Sequence, residues 1–182
     1  MKVKKLESFI EIPNEIEVSL KNSLLTIKGK KGEIIRSFVN PNIKISLENK
    51  KIKFSATNAT KREKKLMNCF ISHVRNMIRG VSEGHIYKLK ICSGHFPMNA
   101  NVQGKEFIVK NFLGEKYPRK LLLKENVNVK IDGEIITVES CYKELAGQTA
   151  ADIEQLTKIK GRDLRIFQDG IWIINKDGKD IK

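Results

Sequence analysis

The sequence predicts an α+β protein built from two tandem duplicated domains, each an antiparallel sheet packed with one main helix. Two observations support this prediction. The lysine- and glycine-rich segment Lys28–Ile34 has a counterpart 82 residues later at Lys110–Lys116. After each segment, two stretches of alternating apolar residues precede a helix-like stretch that ends in glycine. We therefore assign residues 1–82 to the first domain, 83–175 to the second and 176–182 to a polar tail.

Alternation at period two predicts the strands of the first domain. The predicted strands are Ile16–Leu20, Leu24–Lys28, Ile34–Val39, Ile43–Leu47 and Ile52–Ser55. Gly29 and Gly32 mark the turn of one hairpin, and the polar residues 48–51 mark the turn of the next. These short connections indicate antiparallel pairing, since antiparallel neighbours can be joined by so few residues.

A long helix is predicted to follow these strands. Thr60 and Glu63 have the spacing of a capping box, in which the hydroxyl accepts a backbone N–H and the carboxylate reaches back. Apolar residues then recur at three- and four-residue steps, at Leu66, Met67, Phe70, Ile71, Val74 and Ile78. We expect this face to lie in the core and Gly80 to end the helix.

The second domain repeats the order of strands followed by a helix. The predicted strands are His85–Ser93, Met98–Gln103, Glu106–Lys110, Val127–Ile131 and Ile135–Val138, with a final strand at Ile171–Ile174. Gly104 and Gly133 fall in two of the turns. Thr149 and Asp152 are predicted to cap the helix, and Gly161 is predicted to end it. The apolar positions of this helix are Ala150, Ile153, Leu156 and Ile159.

The net charge of +14 over 182 residues indicates a polyanionic partner, either nucleic acid or an anionic membrane surface. The plainer alternative is a solvated basic surface with no partner. The charge is uneven, because residues 1–82 carry a net +11 and residues 83–182 a net +3. The second domain therefore mixes many carboxylates with its cations.

The sequence favours an intracellular protein without a membrane segment. Its three cysteines are widely spaced and form no CxxC pair, which indicates reduced thiols. The N-terminus has no apolar stretch typical of a secretory signal. No apolar run approaches the roughly 20 residues of a membrane span.

Catalysis and metal binding find little support. Cys69 and His73 lie one helical turn apart, but two ligands make only half of a tetrahedral site, so we expect no metal. Cys92 and His95 are the one nucleophile–base pair that can be drawn, and nothing in the sequence orients the imidazole. We interpret His95 as a polar contact in a turn. No enzyme activity, cofactor or small-molecule substrate is predicted.

Three basic segments are candidates for nucleic-acid binding. Residues 29–32 resemble the GxxG loop of KH domains but join two strands, where that loop must join two helices. Residues 111–120 combine an amide, aromatic rings and cations in a loop constrained by Gly114 and Pro118, although a plain hairpin with solvated lysines is the alternative. The third segment, residues 158–165, follows a helix, and its first two lysines are also explained by the helix dipole.

Several blocks of the sequence resemble the large-subunit ribosomal protein L6 family, whose eukaryotic members are called L-nine. The blocks are Ser72–Val81, His95–Met98, Asn111–Lys116, Gln148–Gln155 and Arg162–Trp172, and they span nearly the whole chain in the expected order. Their form is closer to the archaeal branch, and a divergent eukaryotic member is the alternative.

The resemblance implies a structural, non-catalytic protein of the large ribosomal subunit in the cytoplasm. It implies binding to large-subunit rRNA near the sarcin–ricin region and the stalk base, beside neighbouring ribosomal proteins, mainly through the second domain. Carried onto this chain, it favours RNA contacts at His95, Lys110, Asn111, Lys116, Arg119, Lys120, Lys158, Lys160, Arg162 and Arg165. A non-ribosomal RNA-binding or ribosome-assembly factor is the alternative.

Overall fold

The computed structural model describes residues 3–48 and 50–181. The chain divides into two compact units, with the boundary between Gly84 and His85. Each unit contains antiparallel sheets and one main helix, which confirms the predicted duplicated α+β fold. Each unit has two sheets, where the sequence pattern predicted one. No helix in the described residues is long and apolar enough to cross a lipid bilayer.

The first unit has six strands and one helix among its described residues. They are β1 (Val3–Glu11), β2 (Glu17–Lys21), β3 (Leu24–Gly29), β4 (Gly32–Ser37), β5 (Ile43–Glu48), β6 (Lys51–Ala59) and α1 (Lys61–Ser82). The strands form two antiparallel sheets, in the orders β1-β6-β5 and β2-β3-β4. Residues 48–51 join β5 to β6, and Asn49 in this connection lies outside the described residues.

Strand β1 was not predicted, because its alternation is masked by the residue types on its two faces. Ser8 lies on the more buried face between Leu6 and Ile10, while Phe9 is 51% exposed on the other. A polar residue inward and an aromatic residue outward remove the period-two signal. The strand is fixed by pairing with β6, whose partner residues lie at least 40 positions further along the chain.

Helix α1 begins with the predicted capping box. The Thr60 backbone donates to Glu63 Oε2 over 2.8 Å, and the Arg62 backbone donates to Thr60 Oγ1 over 3.2 Å. Hydrogen bonds from the Thr60 hydroxyl and backbone lower the pKa of Glu63 to about 2. Of the predicted apolar face, Met67, Ile71 and Val74 are buried, while Leu66, Phe70 and Ile78 are half-buried. Met77, which was not predicted, is also buried.

The predicted end of α1 at Gly80 is wrong. The helix runs to Ser82, and Gly80 is buried within its last turns. Gly84 instead takes the left-handed conformation, with φ of +83°, immediately after the cap residue Glu83. A left-handed glycine at this position is a common helix terminator.

The second unit repeats this plan with an extension. Its elements are β7 (His85–Cys92), β8 (Asn99–Gln103), β9 (Glu106–Lys110), a 3₁₀ turn (Phe112–Gly114), β10 (Arg119–Leu122), β11 (Asn128–Asp132), β12 (Ile135–Ser140), α2 (Lys143–Leu156), β13 (Gly170–Lys176) and β14 (Lys179–Asp180). The sheets are β10-β9-β8 and β11-β12-β7-β13-β14. The orders β7-β12-β11 and β8-β9-β10 match β1-β6-β5 and β2-β3-β4, so the duplication is visible in the topology. Strands β13 and β14 extend the free edge of β7.

Helix α2 is displaced from its predicted bounds at both ends. It begins at Lys143, and the predicted cap Thr149 lies buried inside it. The apolar spacing extends back through Ala146, which packs in the core with Ala150 and Ile153. The helix ends at Leu156, five residues before the predicted glycine.

The predicted polar tail forms an ordered hairpin. Strand β14 pairs with β13, and Asp177 and Gly178 form the turn with φ of +53° and +87°. An Asp-Gly pair is a strong hairpin signal that the tail's polar composition concealed. The buried His85 ring contacts the Asp177 carboxylate over 3.0 Å, which ties the turn to β7. Lys182 lies outside the described residues.

Candidate nucleic-acid interface

Two of the predicted basic segments meet the segment around His95 at one end of the second unit. The Asn111 side chain donates from Nδ2 to the Pro97 carbonyl over 3.0 Å. Gly114 lies against the Phe96 ring, because a Cβ built on it would be 3.5 Å from that ring. Arg119 donates from Nη1 to the Leu156 carbonyl over 2.7 Å. Residues 94–97, 110–120 and 156–169 therefore form one surface, which we call the three-segment surface.

A buried carboxylate clamps two of these segments together. Asp169 is only 4% exposed and accepts hydrogen bonds from the backbones of Gly94 and His95. Its Oδ2 lies 2.5 Å from His95 Nδ1, and the imidazole stacks on Phe167 with 4.7 Å between ring centroids. Burial acts to raise the pKa of Asp169, but the hydrogen bonds from His95 and Gly94 outweigh it, so its pKa is lowered.

The Asp169 contact corrects the expectation that nothing orients the His95 imidazole. The orienting carboxylate lies 74 residues further along the chain, so no local pattern around His95 reveals it. Because an ionised carboxylate only accepts, His95 donates from Nδ1 to it. No hydrogen bond joins Cys92 to His95 in the described part of the chain, so the pair has no nucleophile–base geometry.

The loop after β9 has a strained, defined backbone. Asn111, Leu113 and Gly114 take left-handed conformations with φ of +59°, +50° and +78°. Phe112 is 1% exposed and anchors the 3₁₀ turn in the core, while Tyr117 is 87% exposed. The amide of Asn111 is used to fix the loop to Pro97, and the exposed groups follow at residues 116 and 117.

Arg119 lies on β10, and its side chain fixes the loop after β9 in place. This strand was predicted as loop, and its pairing with β9 defines it. The guanidinium forms a bidentate ion pair with Glu115, over 2.8 and 2.5 Å, and lies 4.2 Å from the centroid of the Phe112 ring. The hydrogen bond from Arg119 lowers the pKa of Glu115. Together with its bond to the end of α2, these contacts make Arg119 a positioning residue.

The remaining predicted cations divide into two groups. Four lysines are exposed and have no ion pair or hydrogen bond from their side chains in residues 3–48 and 50–181. These are Lys110, Lys116, Lys158 and Lys160. The others have intramolecular partners, since Lys120 pairs with Glu106 and Arg165 with Asp163, over 3.3 and 2.8 Å. Arg162 lies over the Phe167 ring, 4.7 Å from its centroid, and extends the stack on His95.

The basic tip of the first unit is packed against its own helix. The Lys31 backbone donates to the Val81 carbonyl over 2.9 Å. A Cβ on Gly29 would lie 2.8 Å from that same carbonyl oxygen, so the close approach requires glycine. Lys30 pairs with Glu15 over 2.6 Å, and this bond lowers the pKa of Glu15. The backbone of this turn therefore packs on the end of α1, whereas the longer loop after β9 is held by side chains.

The predicted Cys69–His73 pair acquires no further ligands. The His73 ring lies 3.4 Å from the Arg36 guanidinium, a cationic donor. Among the described residues, no cluster of three or more histidine, cysteine or acidic side chains has metal-binding geometry.

Comparison with known proteins identifies relatives along nearly the whole chain. The model of the family described as Ribosomal protein L6 matches twice, over residues 12–84 and 96–170. Large ribosomal subunit protein uL6 from Methanococcus vannielii is 46% identical over 93% of both chains. The protein of the same name from Methanosarcina mazei is 45% identical over 96% of this chain and 99% of its own. That from Nanoarchaeum equitans is 43% identical over 100% of this chain and 98% of its own.

Proposed function

We propose that this chain, which belongs to the ribosomal protein L6 family, is a structural constituent of the large ribosomal subunit that binds rRNA through its second unit. The family and its relatives support a cytoplasmic ribonucleoprotein that serves translation. The finer proposal is a position near the sarcin–ricin region and the stalk base, beside neighbouring ribosomal proteins. The observation that carries the RNA-binding proposal is the meeting of two basic segments, residues 110–120 and 156–169, with the segment around His95 in one clamped surface.

The three-segment surface suits phosphate binding for two physical reasons. Its four unpaired lysines approach phosphates without first breaking an internal ion pair. Its loops are held by Asp169 and Arg119, so the surface loses little conformational entropy when RNA binds. Backbone and shape readout is therefore expected to dominate over base readout.

The predicted contact residues take different roles in this proposal. Lys110, Lys116, Lys158 and Lys160 contact phosphates directly, with Arg162 beside them. Lys120 and Arg165 exchange an exposed internal partner for a phosphate, which costs little because exposed pairs are weak. His95, Asn111 and Arg119 fix the loops that present these cations.

The test is the salt dependence of binding to transcribed large-subunit rRNA from Methanococcus vannielii, the source of a relative 46% identical to this chain. If about six cations contact phosphates, affinity is expected to fall about a thousandfold between 50 and 200 mM salt. A flat titration overturns the proposal. Co-sedimentation with large subunits after a high-salt wash distinguishes a resident protein from an assembly factor, which would be released.

A further inference from the structure

A cleft of about 320 Å³ opens beside the C-terminal end of α2, on the second unit. Its apolar lining includes Ile159, Leu164, Ile171 and Trp172, the only tryptophan in the chain. Ile159 and Ile171 are buried, whereas Leu164 and Trp172 are 55% and 42% exposed. The cleft is therefore open to solvent on one side and has an aromatic ring at its mouth.

The Trp172 ring is held in place before any partner arrives. Its Nε1 donates to the Gln168 carbonyl over 3.2 Å. The strand beneath it is bound to the end of α2, because the Ile171 backbone donates to Thr157 Oγ1 over 2.9 Å. Gly170 precedes this contact with a φ of +152°, a backbone conformation that residues with a side chain rarely adopt. The indole is thus a preformed platform and loses little freedom on stacking.

The charges around the cleft select the class of partner. Lys158 and Glu154 line it, and the Glu154 carboxylate accepts a hydrogen bond from the Ile173 backbone over 3.2 Å. Lys160 and Arg162 follow in the chain, so the cations outnumber the carboxylate. Lys158 and Lys160 are among the unpaired cations of the three-segment surface. An apolar side chain of a protein would fill the cleft without using these charges. A nucleotide uses both features, with an aromatic base on the ring and a phosphate at the lysine.

We propose that this cleft binds one unpaired RNA base, stacked on Trp172 with its phosphate near Lys158. Sequence-specific recognition of RNA mostly uses unstacked bases that lie against aromatic rings, because the deep, narrow major groove of paired RNA does not admit side chains. Glu154 and Gln155 at the cleft offer polar groups to the edge of the base. The inference rests on the proposed function and adds a base-specific contact to a surface that otherwise reads shape.

Tryptophan fluorescence tests the proposal directly, because the signal comes from this one ring. Titration with the Methanococcus vannielii large-subunit rRNA is expected to quench Trp172 emission in parallel with binding measured by filter retention. The control is the Trp172→Phe, Phe9→Trp double variant, which moves the reporter to an exposed site on the first unit and is expected to show no quenching. Binding without quenching overturns the cleft proposal and leaves the proposed function standing, whereas no binding overturns both.

Substitutions separate stacking from charge. Trp172→Ala is expected to weaken binding by at least about fivefold, the lower end for loss of one base–aromatic stack, with an unchanged salt slope. Trp172→Phe retains an aromatic face and is expected to lose less. Lys158→Gln is expected to lower the salt slope by about one. Unchanged affinity in Trp172→Ala, with circular dichroism showing a native fold, would mean that the cleft takes no base.

Discussion

The two units share one strand order, but different kinds of contact hold their equivalent hairpin turns, β3–β4 in the first unit and β9–β10 in the second. In the first unit, two lysines join β3 to β4, and the backbone packs directly on the end of α1. In the second, residues 111–118 join β9 to β10, and side chains make the closure. The main side chains are Asn111 and Arg119, with Asp169 clamping the adjoining segment. Direct packing of the backbone on the helix requires a short turn in the first unit. Side-chain contacts hold a longer, exposed loop in the second unit.

The difference also shows why net charge is a poor guide to the binding surface. The first 82 residues carry the larger net charge, +11 against +3 for the rest of the chain. Several of those cations are nevertheless paired, as Lys30 is with Glu15 and Lys51 with Glu11. The second unit has more carboxylates, yet four lysines on its three-segment surface have no ion pair or side-chain hydrogen bond within the part of the chain that the structure describes. The contrast in local pairing holds at the equivalent hairpins, where Lys30 is paired with Glu15 and the exposed Lys116 has no ion pair among the described residues.

The largest expected effect comes from removing the unpaired lysines. Changing Lys110, Lys116, Lys158 and Lys160 to glutamine is expected to lower rRNA affinity about ten-thousandfold at 0.1 M salt, since each of the four phosphate contacts contributes about tenfold there. Filter binding measures this loss. The matched control changes four first-unit lysines, Lys30, Lys31, Lys50 and Lys51, and is expected to lose far less. A greater loss in the control would show that net charge is the better guide after all.

The second expected effect is on the clamp. Asp169→Asn removes a buried charge that accepts three hydrogen bonds, and is expected to lower the free energy of unfolding of the second unit by about 3 kcal/mol. Urea denaturation followed by Trp172 fluorescence measures it, because this reporter lies in the second unit. Asp163→Asn, at an exposed carboxylate paired with Arg165, serves as control and is expected to leave the urea midpoint unchanged. Equal urea midpoints for Asp169→Asn and Asp163→Asn would show that Asp169 does not stabilise the second unit.

The sequence predicted the parts of this comparison that depend on neighbouring residues. The capping box of Thr60 and Glu63 is local, and it is present. The hairpin glycines were also recognised, because a turn's chemistry lies in two or three adjacent residues. The Asp169 clamp and the bond from Arg119 to Leu156 join residues 74 and 37 positions apart, so no pattern within one segment reveals them. Which lysines are unpaired depends on such distant contacts in the same way.

A smaller effect tests the closure of the first unit. Gly29→Ala places a Cβ 2.8 Å from the Val81 carbonyl oxygen and 2.9 Å from its side chain, so the tip must move away from the helix. The expected loss of unfolding free energy is about 2 kcal/mol, typical of overpacking, and far-ultraviolet circular dichroism in urea measures it. Gly94→Ala is the control, since its added carbon meets only an Asp169 oxygen at 3.7 Å. An unchanged free energy of unfolding in Gly29→Ala would mean that the β3–β4 turn is not held against α1.

The smallest expected effect concerns acid stability at the start of α1. The pKa of Glu63 is about 2 in the folded chain against 4.5 ordinarily, because Thr60 donates hydrogen bonds to its carboxylate. A lowered folded pKa contributes stability that is complete above pH 4.5 and is lost as pH falls toward 2. In Glu63→Gln, the amide keeps a capping contact but carries no charge and does not titrate, so the variant is expected to be less stable than wild type at pH 7, with a shallower loss between pH 4.5 and 2. Urea midpoints across that range measure the slope, and parallel slopes for the two proteins would show that the capping carboxylate is not linked to folding. Asp169 has its pKa lowered as well, so the same titration on Asp169→Asn separates the acid sensitivity of the second unit from that of the first.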